Sequence, residues 1–535
     1  DLCDFCVCDE NDYLKFVQNN LHKPAVIVLK KNTSVLKQWK NNLSSTNFCA
    51  GNPLFIVDDE ADAASLNTQV NRNRQSTINK NLEAIKKTTS SSIYMQVTGT
   101  PQSILLQTRK SGWKPYFIYY FKPGKGYLGG NFFFTADPPK QIVFTDNDEA
   151  SEIINDDEFP ENGLKNALLT HLITSGHIML SGGTVCNFLI HPSVKTTQHA
   201  AFAGKIGNYL NEISHSCEEL ETREAFYKIY ESLKETKPDI RDFDEIYKYI
   251  TEQIQNDKIS IQLLNSVVSY DENTQYEHGI NVIVGGNSLG RGVTFPQLQT
   301  IYYCRVAKSP QADTMWQHAR MFGYDRDAAL MRVYMPPKLF KLFSDINRTN
   351  NSIIRQIENM SNGADIKIFY PEGLKPTRKN VLDKKAVDIY SGGVNYFPFY
   401  PVNKNVSAID DLLRTFDDDV YTVSLKLMVK LMENVDSEVD DWSAKVFIGF
   451  INTLLAANPA EQGKLIVRRN RDIGKGTGTL LSQTDRQLGD KYTDEAVLTM
   501  YKITGNQEKG WDGTKIWIPN IKLPGDCIYY SGEPS

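Results

Sequence analysis

Short apolar runs, each followed by a polar or glycine-containing loop, recur along the first two thirds of the chain. Apolar runs of about four to eight residues bounded by turn residues are typical of buried parallel strands, and the stretches between them have helical spacing. The runs are AVIVLKK, PLFIVDDEAD, IYMQVTGTP, CNFLIHPS, ISIQLLNS, INVIVGGNSLGRG and TIYYCRVA. This alternation predicts an α/β protein with parallel sheets, whose ligands bind at the carboxyl ends of the strands.

Three breaks in this rhythm predict the domain organisation. The acidic stretch TDNDEASEIINDDEFPENG is interpreted as a linker, residues 146–163, between a first α/β domain at 1–145 and a second at 164–345. Within the second domain, the charge-rich segment at about 216–258 is predicted to be a solvated helical insertion. The rhythm then fades, so 346–535 is expected to be a separate C-terminal region that binds a partner or DNA.

Composition narrows the class of protein. A chain of 535 residues with 41% apolar content can form about three domains, each with its own core. The formal net charge of −5 argues against a surface that coats polyanions, so DNA binding requires local basic patches. Charged or polar residues interrupt every apolar stretch, which argues against a membrane-spanning helix. Eight cysteines, scattered apart from Cys3, Cys6 and Cys8, favour a cytoplasmic location.

A cluster of carboxylates follows the strand-like run FIV in the string FIVDDEADAAS. Acids at the end of a strand, as in a Walker B motif, can hold hydrated Mg²⁺ and orient the attacking water in an NTPase, whereas the alternative is an acidic surface turn. We assign Asp59 and Glu60 to magnesium binding and catalysis. The next strand ends in QVTGTPQ, where the hydroxyls of Thr98 and Thr100, together with Asp62, could sense the nucleotide.

Two further strings supply groups suited to phosphate. The glycine-rich backbone of IVGGNSLGRGVTF can approach a phosphate closely, although a plain glycine turn is the alternative. One strand later, DTMWQHARMFGYDRD offers guanidinium groups that could reach a γ-phosphate as an arginine finger, or could instead pair with surface acids. The candidates are Gly290, Arg291 and Gly292 in the first string and Gln317, Arg320 and Arg326 in the second.

The order of these motifs matches that of superfamily-two helicases, and the chain resembles the Z-one domain family over about residues 20–345. The strings that carry this resemblance are VIVLKKNTSVLK, IVDDEADAASLNT, STIN, VTGTP, LIHPSVKTTQH, GGNSLGRGVTF and DTMWQHARMFGY. The resemblance implies two RecA-like domains that bind ATP and magnesium and hydrolyse ATP.

The resemblance also implies a biological setting. Such a chain would act on DNA beside a separate nuclease subunit in bacterial ATP-dependent restriction or phage defence, notably in CglI-like systems, whose nuclease is of the phospholipase D type. It would therefore work in a hetero-oligomer. Two departures leave the identity of the finger open: Asp325 separates Tyr324 from Arg326 where the family has GYR, and Ala319 replaces the glycine before Arg320.

A phosphate-binding loop of the form GxxxxGK[ST] is expected before the first motif but does not occur in the sequence. The nearest string, GKGTGT at Gly474–Thr479, lacks a lysine followed by a hydroxyl residue. Because the first residue is Asp1, we expect the sequence to begin after this loop. Two alternatives stay open: an inactive helicase-like scaffold, and an intrinsic endonuclease, for which no HxK, HNH or ExK pattern is convincing.

DNA contacts are predicted at two kinds of place. The string KLIVRRNRDIGKG concentrates positive charge that could meet phosphates, although a solvated or subunit-facing basic strand is the alternative. By resemblance to helicase lobes, loops near strand ends could track one strand of DNA. The candidates are Lys30, Asn32, His191, Lys195, Lys464, Arg468, Arg469 and Arg471.

Overall fold

The computed structural model confirms the α/β class, with helices alternating with strands and parallel strand pairs in three of its sheets. It describes residues 26–45, 49, 52–107, 111–135, 139–155, 163–192, 196–264, 276–286, 294–305, 307, 309–359, 366–378, 380–383, 387–476 and 480–532. The chain divides into two units, residues 121–351 and residues 1–120 together with 352–535. The predicted boundaries at 145 and 345 therefore differ from the observed ones.

Up to residue 107, the described residues form two strands and three helices. These elements are α1 (Thr33–Ser45), β1 (Leu54–Asp58), α2 (Thr77–Lys86), β2 (Ser92–Gln96) and α3 (Gln102–Leu105), with a short 3-10 turn at Val70–Arg72. β1 and β2 pair in parallel, with Leu54 opposite Ser92 and Asp58 opposite Gln96. Helices α1 and α2 bury their apolar residues in one cluster with Trp113. This pairing brings the polar loops after both strands to the same edge.

The run AVIVLKK was expected to be a buried strand, and this expectation is wrong for the residues that the structure describes. Residues 26–31 are irregular, with Val26 and Val28 exposed, whereas Ile27 and Leu29 pack against the apolar cluster. The continuous apolar run therefore makes a contact on one side only. The helix predicted after it is present as α1.

The unit of residues 121–351 is built on one large sheet. Its elements are α4 (Gly130–Phe134), β3 (Ile142–Phe144), α5 (Glu149–Asn155), α6 (Leu164–Leu180), β4 (Val185–His191), α7 (Thr196–Ser216), α8 (Leu220–Lys234), α9 (Phe243–Gln255), β5 (Ile259–Leu264), β6 (Gly279–Gly285), β7 (Leu298–Tyr303), α10 (Ala312–His318), β8 (Arg332–Met335) and most of α11 (Pro337–Asn359). The six strands are all parallel, in the order β3–β8–β7–β4–β6–β5. β4, β6 and β7 are almost wholly buried, as expected for continuous apolar runs.

The segment predicted as a solvated helical insertion is part of this core. Helices α8 and α9 do form, but Phe226, Ile246 and Ile250 are almost fully buried in the same cluster as α6 and β4. Their charged residues lie on the opposite faces, so the overall charge of the segment concealed an amphipathic pattern. The interpretation as a solvated insertion is wrong.

The acidic stretch predicted as a linker also packs into the sheet layer, where the structure describes it. The carboxylate of Glu149 is buried and accepts hydrogen bonds from the backbone N–H of Leu164, at 2.7 Å, and from the hydroxyl of Tyr302, at 2.9 Å. Burial raises the pKa of Glu149. A side chain at Gly163 would lie within 2 Å of this carboxylate, which explains the glycine. Glu149 thus fixes the start of α6, and residues 156–162 lie outside the described residues.

The C-terminal part of the chain is richer in strands than its sequence suggested. It contains β9 (Ile368–Pro371), β10 (Asp388–Ser391), β11 (Asn395–Tyr396), β12 (Pro401–Asn403), α12 (Val406–Leu412), β13 (Val420–Ser424), α13 (Leu425–Met432), β14 (Val435–Ser437), α14 (Ala444–Ala457), β15 (Gln462–Arg471), α15 (Gln483–Gly489), β16 (Val497–Ile503), β17 (Ile516–Lys522) and β18 (Cys527–Ser531). A five-stranded sheet runs in the order β11–β17–β16–β15–β13, and only β15 and β16 pair in parallel.

Helices α13 and α14 bury their apolar faces against this sheet. The region was predicted to be separate, yet it falls in one unit with residues 1–120. Val381 belongs to the same apolar cluster as α1 and α2, and the side-chain amide of Asn71 donates to the carbonyl of Leu382 at 2.9 Å. Within the described residues, none of the helices is long and apolar enough to cross a membrane.

Candidate active site

The acidic motif forms a tight turn directly after β1. Hydrogen bonding to β2 continues past the ends of both strands: Val97 N–H donates to the carbonyl of Asp58 at 2.9 Å, and Ala61 N–H donates to that of Val97 at 3.1 Å. Glu60 occupies the left-handed region, with φ of 51°. A residue other than glycine adopts this conformation at a cost of about 1 kcal/mol, so the surrounding contacts must hold it there.

The first acid of the motif, Asp58, is buried and fully engaged. Its carboxylate accepts a hydrogen bond from Lys31 Nζ at 2.8 Å and another from the Tyr94 hydroxyl at 2.6 Å. Burial, followed by the charge of Asp58, raises the pKa of Tyr94, which therefore stays a neutral donor. The Lys31 ammonium group also donates to the carbonyls of Asp59, at 2.6 Å, and Glu60, at 2.9 Å. Asp58 and Lys31 together hold the turn.

The last acid of the motif, Asp62, links the turn to the loop after β2. The hydroxyl of Thr98 donates to one carboxylate oxygen of Asp62 at 2.7 Å, and that of Thr100 donates to the other at 3.1 Å. Asp62 and Thr100 are buried, and Thr100 N–H donates to the Thr98 hydroxyl. The structure therefore brings together the three residues that the sequence suggested as a sensor of bound nucleotide.

Asp59 and Glu60 differ from their neighbours because both side chains are exposed. One carboxylate oxygen of Asp59 accepts a hydrogen bond from the Glu60 backbone at 3.0 Å. Among the residues that the structure describes, no group of three or more His, Cys, Asp or Glu side chains could hold a metal ion. Magnesium commonly uses only one or two protein carboxylates and completes its shell with water and substrate phosphates. Asp59 and Glu60 fit that requirement.

Arg378 also holds the acidic turn, and the sequence motifs do not include it. Its guanidinium donates to the carbonyls of Asp62, at 3.2 Å, and Ala63, at 2.5 Å. The adjacent Thr377 is buried, and Val381 lies in the apolar cluster under the turn. The sequence gives no signal for Arg378, because long-range contacts from a side chain to backbone atoms leave no local pattern. For Lys31 a signal existed, since it is a lysine at the end of an apolar run.

The two candidate finger arginines have different environments. Arg326 is largely buried: its guanidinium donates to the carbonyls of Leu298, at 3.2 Å, and Arg320, at 2.8 Å. Burial lowers its pKa, and its guanidinium fills the space that a side chain at Gly323 would need. Arg320 is half-buried, with φ of 56°, and its guanidinium lies 5.8 Å from the centre of the Phe295 ring. Arg326 therefore supports the loop that carries Arg320.

The remaining candidates for phosphate binding are only partly described. Gln317 lies half-buried on α10. The glycine-rich loop candidates, Gly290, Arg291 and Gly292, lie outside the described residues.

The candidates for DNA contact near strand ends have mixed placements. Lys30 is exposed, whereas the side chain of Asn32 accepts a hydrogen bond from Val35 N–H at 2.9 Å and caps α1. His191 is fully buried against Tyr303, and burial lowers its pKa, so its ring is a neutral part of the core. A buried neutral ring is not placed to contact a phosphate, which corrects the assignment of His191. Lys195 lies outside the described residues.

The basic string lies on β15, where each cationic side chain has a partner in its own domain. Arg468 and Arg471 both pair with the buried Asp485, at 2.9 and 3.5 Å. Arg469 pairs with Asp418 at 2.8 Å and donates to two backbone carbonyls. Lys464 donates to the Thr422 hydroxyl at 2.8 Å and lies 3.5 Å from a carboxylate oxygen of Glu495. Much of the positive charge that suggested DNA binding is therefore neutralised within the domain.

Comparison with known families gives two matches on adjacent parts of the chain. Residues 163–372 match the model of the Z1 (Z-one) domain, and residues 390–525 match that of the restriction endonuclease CglI H-subunit, C-terminal domain. The solved C-terminal domain of the CglI restriction endonuclease H subunit is 31% identical, covers 25% of this chain and is itself covered completely, with a TM-score of 0.24. No curated protein sequence matches the chain.

Two larger solved structures are more distant. S. cerevisiae Dbp5 bound to RNA and ADP BeF3 is 12% identical, covering 55% of this chain and 56% of its own, with a TM-score of 0.24. The ATP-dependent Type ISP restriction-modification enzyme LlaBIII bound to DNA is 10% identical, covering 63% of this chain and 22% of its own, with a TM-score of 0.26. Scores this low carry no argument about the fold or activity of this chain.

Proposed function

We propose, from the premise that this chain belongs through its C-terminal domain to the family of the CglI restriction endonuclease H subunit, that it is the ATP-hydrolysing subunit of an ATP-dependent restriction complex. In this proposal DNA stimulates hydrolysis, and a separate nuclease subunit of the phospholipase D type cuts the DNA. The chain then acts as a motor or a switch within a bacterial hetero-oligomer. Its two α/β regions correspond to the RecA-like domains of a helicase-like ATPase.

One observation carries the proposal: the acidic turn divides its four carboxylates by role. Asp58 is held by Lys31 and Tyr94, and Asp62 is held by two threonine hydroxyls. Asp59 and Glu60 project from the same turn into solvent at the carboxyl end of β1. An acidic surface turn without a function would not require two buried carboxylates to fix its shape.

The chemistry follows from the placement of these side chains. Bound magnesium supplies positive charge that offsets the charge of the triphosphate. Asp59 would hold the hydrated ion, and Glu60 would orient the attacking water and accept its proton. The Asp62–threonine contacts tie the position of these carboxylates to the loop after β2. The sequence contains no GxxxxGK[ST] string for binding the β- and γ-phosphates.

Arg320 is the better candidate for the arginine finger. A finger must reach charge that develops on the transferred phosphoryl group. The guanidinium of Arg326 is already used by two backbone carbonyls and is mostly buried. The left-handed backbone of Arg320 follows the end of α10 and turns this residue out of the helix. We therefore assign the finger to Arg320 and a supporting role to Arg326.

The proposal is tested by measuring phosphate release and DNA cleavage with the purified chain, alone and with DNA and the partner subunit. We expect magnesium-dependent ATP turnover that DNA increases, and cleavage only when the partner is present. DNA cleavage by the chain alone would instead support an intrinsic endonuclease. Absence of turnover in the complete, cleavage-competent complex would support an inactive scaffold.

A further inference from the structure

The chain contains a long stretch without acidic residues, which includes the connection between its two units. Between Glu83 and Asp137 no Asp or Glu occurs, although 64 of the 535 residues are acidic and a stretch of this length would carry about six. Seven basic residues fall in the same interval: Lys86, Lys87, Arg109, Lys110, Lys114, Lys122 and Lys125. The local positive charge contrasts with the net charge of −5 for the whole chain.

Within this stretch, residues 114–125 (KPYFIYYFKPGK) form a segment whose aromatic side chains are largely in solvent; we call it the aromatic segment. The exposed fractions are 95% for Tyr116, 73% for Phe117, 79% for Tyr119 and 84% for Phe121. Burying a large aromatic side chain is worth about 1.5–3 kcal/mol, so four exposed rings within six residues are unusual unless something covers them.

Both ends of the aromatic segment are fixed to the protein. Before it, Trp113 is buried, with its indole N–H 3.3 Å from Glu83 Oε1 and its ring edge-on to that of Tyr94, 5.2 Å away between ring centres. At its end, Gly124 N–H donates to the Tyr324 hydroxyl at 2.8 Å. Leu128 then pairs with Gly323 through two backbone hydrogen bonds. The exposed rings thus lie on a tethered segment.

We propose that the aromatic segment binds single-stranded nucleic acid. Bases can stack on Tyr116, Phe117, Tyr119 and Phe121, while Lys114, Lys122 and Lys125 meet the phosphates. Rings interleaved with cations are the combination that single-strand binding without sequence preference requires, because every base has an aromatic face and every nucleotide a negative charge. A base-paired duplex keeps its bases stacked on each other, so the same rings select a single strand.

A protein partner is the competing occupant of these rings, and charge distinguishes the two. A polyanion would be repelled by acidic residues, which are absent between Glu83 and Asp137. An apolar protein surface would not require their absence. The inference deepens the proposed function and rests on it only for taking nucleic acid as the partner.

The test is binding of a fluorescein-labelled oligothymidylate to the full chain, measured by anisotropy without nucleotide. Removing an aromatic ring that stacks on a base commonly weakens binding by about fivefold or more. We expect the combined variant Tyr116→Ala, Phe117→Ala, Tyr119→Ala to bind at least about 100-fold more weakly than the wild type. The pair Lys122→Gln, Lys125→Gln should lower the slope of log K against log salt by about 1.4, or 0.7 for each phosphate contact.

Two controls separate stacking from other effects. Tyr116→Phe with Tyr119→Phe keeps both rings and should bind like the wild type, and Tyr227→Ala removes an exposed ring from α8 and should have no effect. The inference is overturned if the wild type does not bind the oligothymidylate or if the triple variant binds it equally well. If the triple variant keeps its oligothymidylate binding but no longer binds the partner subunit, the rings bind protein instead. Because ATP is absent, a chain that binds through these rings but does not hydrolyse ATP would contradict only the proposed function.

Discussion

The acidic turn after β1 and the basic strand β15 are both dense clusters of charge, and the structure treats them in opposite ways. In the acidic turn, Lys31 and Arg378 bind mainly backbone carbonyls and a single carboxylate, so Asp59 and Glu60 stay exposed. In β15, Arg468 and Arg471 converge on Asp485, which is buried.

The difference shows when a charged side chain stays available for chemistry. The neighbouring groups of opposite charge must bind other atoms, such as backbone carbonyls. A run of like charges in a sequence does not distinguish the two cases, because the partners come from distant positions. Asp485 lies beyond the basic string, and Arg378 lies more than 300 residues after the turn that it holds. The predictions below test whether β15 is structural and whether the acidic turn is positioned for function.

The largest expected effect on stability comes from Asp485→Asn. Burial alone would raise the pKa of Asp485, but hydrogen bonds from Ser482, Tyr501 and Arg468 together lower it below its ordinary value. Removing one partner of a buried ion pair costs about 3–5 kcal/mol. We expect a loss of this size in the free energy of unfolding, measured by denaturant titration of the full chain. Asp472→Asn, which breaks an exposed pair with Lys509, should cost less than about 1 kcal/mol.

The pH dependence has a definite sign. A carboxyl group whose folded-state pKa lies below its unfolded value of about 3.9 contributes its full stability above that pH and loses it as the pH falls toward the folded-state pKa. The wild type should therefore lose stability more steeply than Asp485→Asn below about pH 4. If the free energy of unfolding falls equally steeply with pH in the two proteins, the ionised carboxylate of Asp485 does not stabilise β15.

Arg378→Ala should have the next largest effect, and on turnover. The guanidinium makes two hydrogen bonds to the backbone of the acidic turn, and a small displacement of that turn misplaces Asp59 and Glu60. We expect kcat for ATP to fall about tenfold, with KM much less affected. Arg414→Ala, an exposed arginine, is the matched control. A normal kcat in Arg378→Ala would show that Arg378, from the C-terminal region, does not position the acidic turn for hydrolysis.

The smallest effect is expected for Arg471→Gln on DNA binding. Its guanidinium lies 3.5 Å from Asp485 and 5.3 Å from the centre of the Tyr501 ring. Oligothymidylate affinity should change by less than about twofold, with no change in its salt dependence. A slope lowered by about 0.7 would show that Arg471 contacts a phosphate and would restore the DNA-binding interpretation of β15.

The sequence predicted the parts of the fold that depend on local pattern. Six of the seven apolar runs are strands, and the acidic turn comes at the end of the strand where the pattern placed it. The exception, AVIVLKK, has the composition of a strand but packs on one side only. The helices near residues 216–258 were also predicted, but their burial was not, because Phe226 and Ile250 are apolar positions within a strongly charged segment.

What the sequence could not predict depends on contacts between distant residues. The division into units at residues 120 and 351 follows from packing of the C-terminal region with the first helices, for which Val381 gives no local signal. Likewise, Arg320 and Arg326 are equivalent in the sequence, but Gly323 leaves space for the Arg326 guanidinium and Arg320 has a left-handed backbone. The roles of Asp59, Glu60 and Arg320 in hydrolysis remain predictions.

The most direct test of the central claim is ATP turnover by Glu60→Gln, measured with DNA and partner present, alongside nucleotide binding. The amide keeps the size of the side chain but accepts no proton, and general-base catalysis contributes about 100- to 10,000-fold to such reactions. We predict a fall of at least about 100-fold in turnover with unchanged ATP affinity, while Glu433→Gln, on the exposed end of α13, behaves like the wild type. Wild-type turnover by Glu60→Gln would contradict the assignment of this turn as the hydrolytic site.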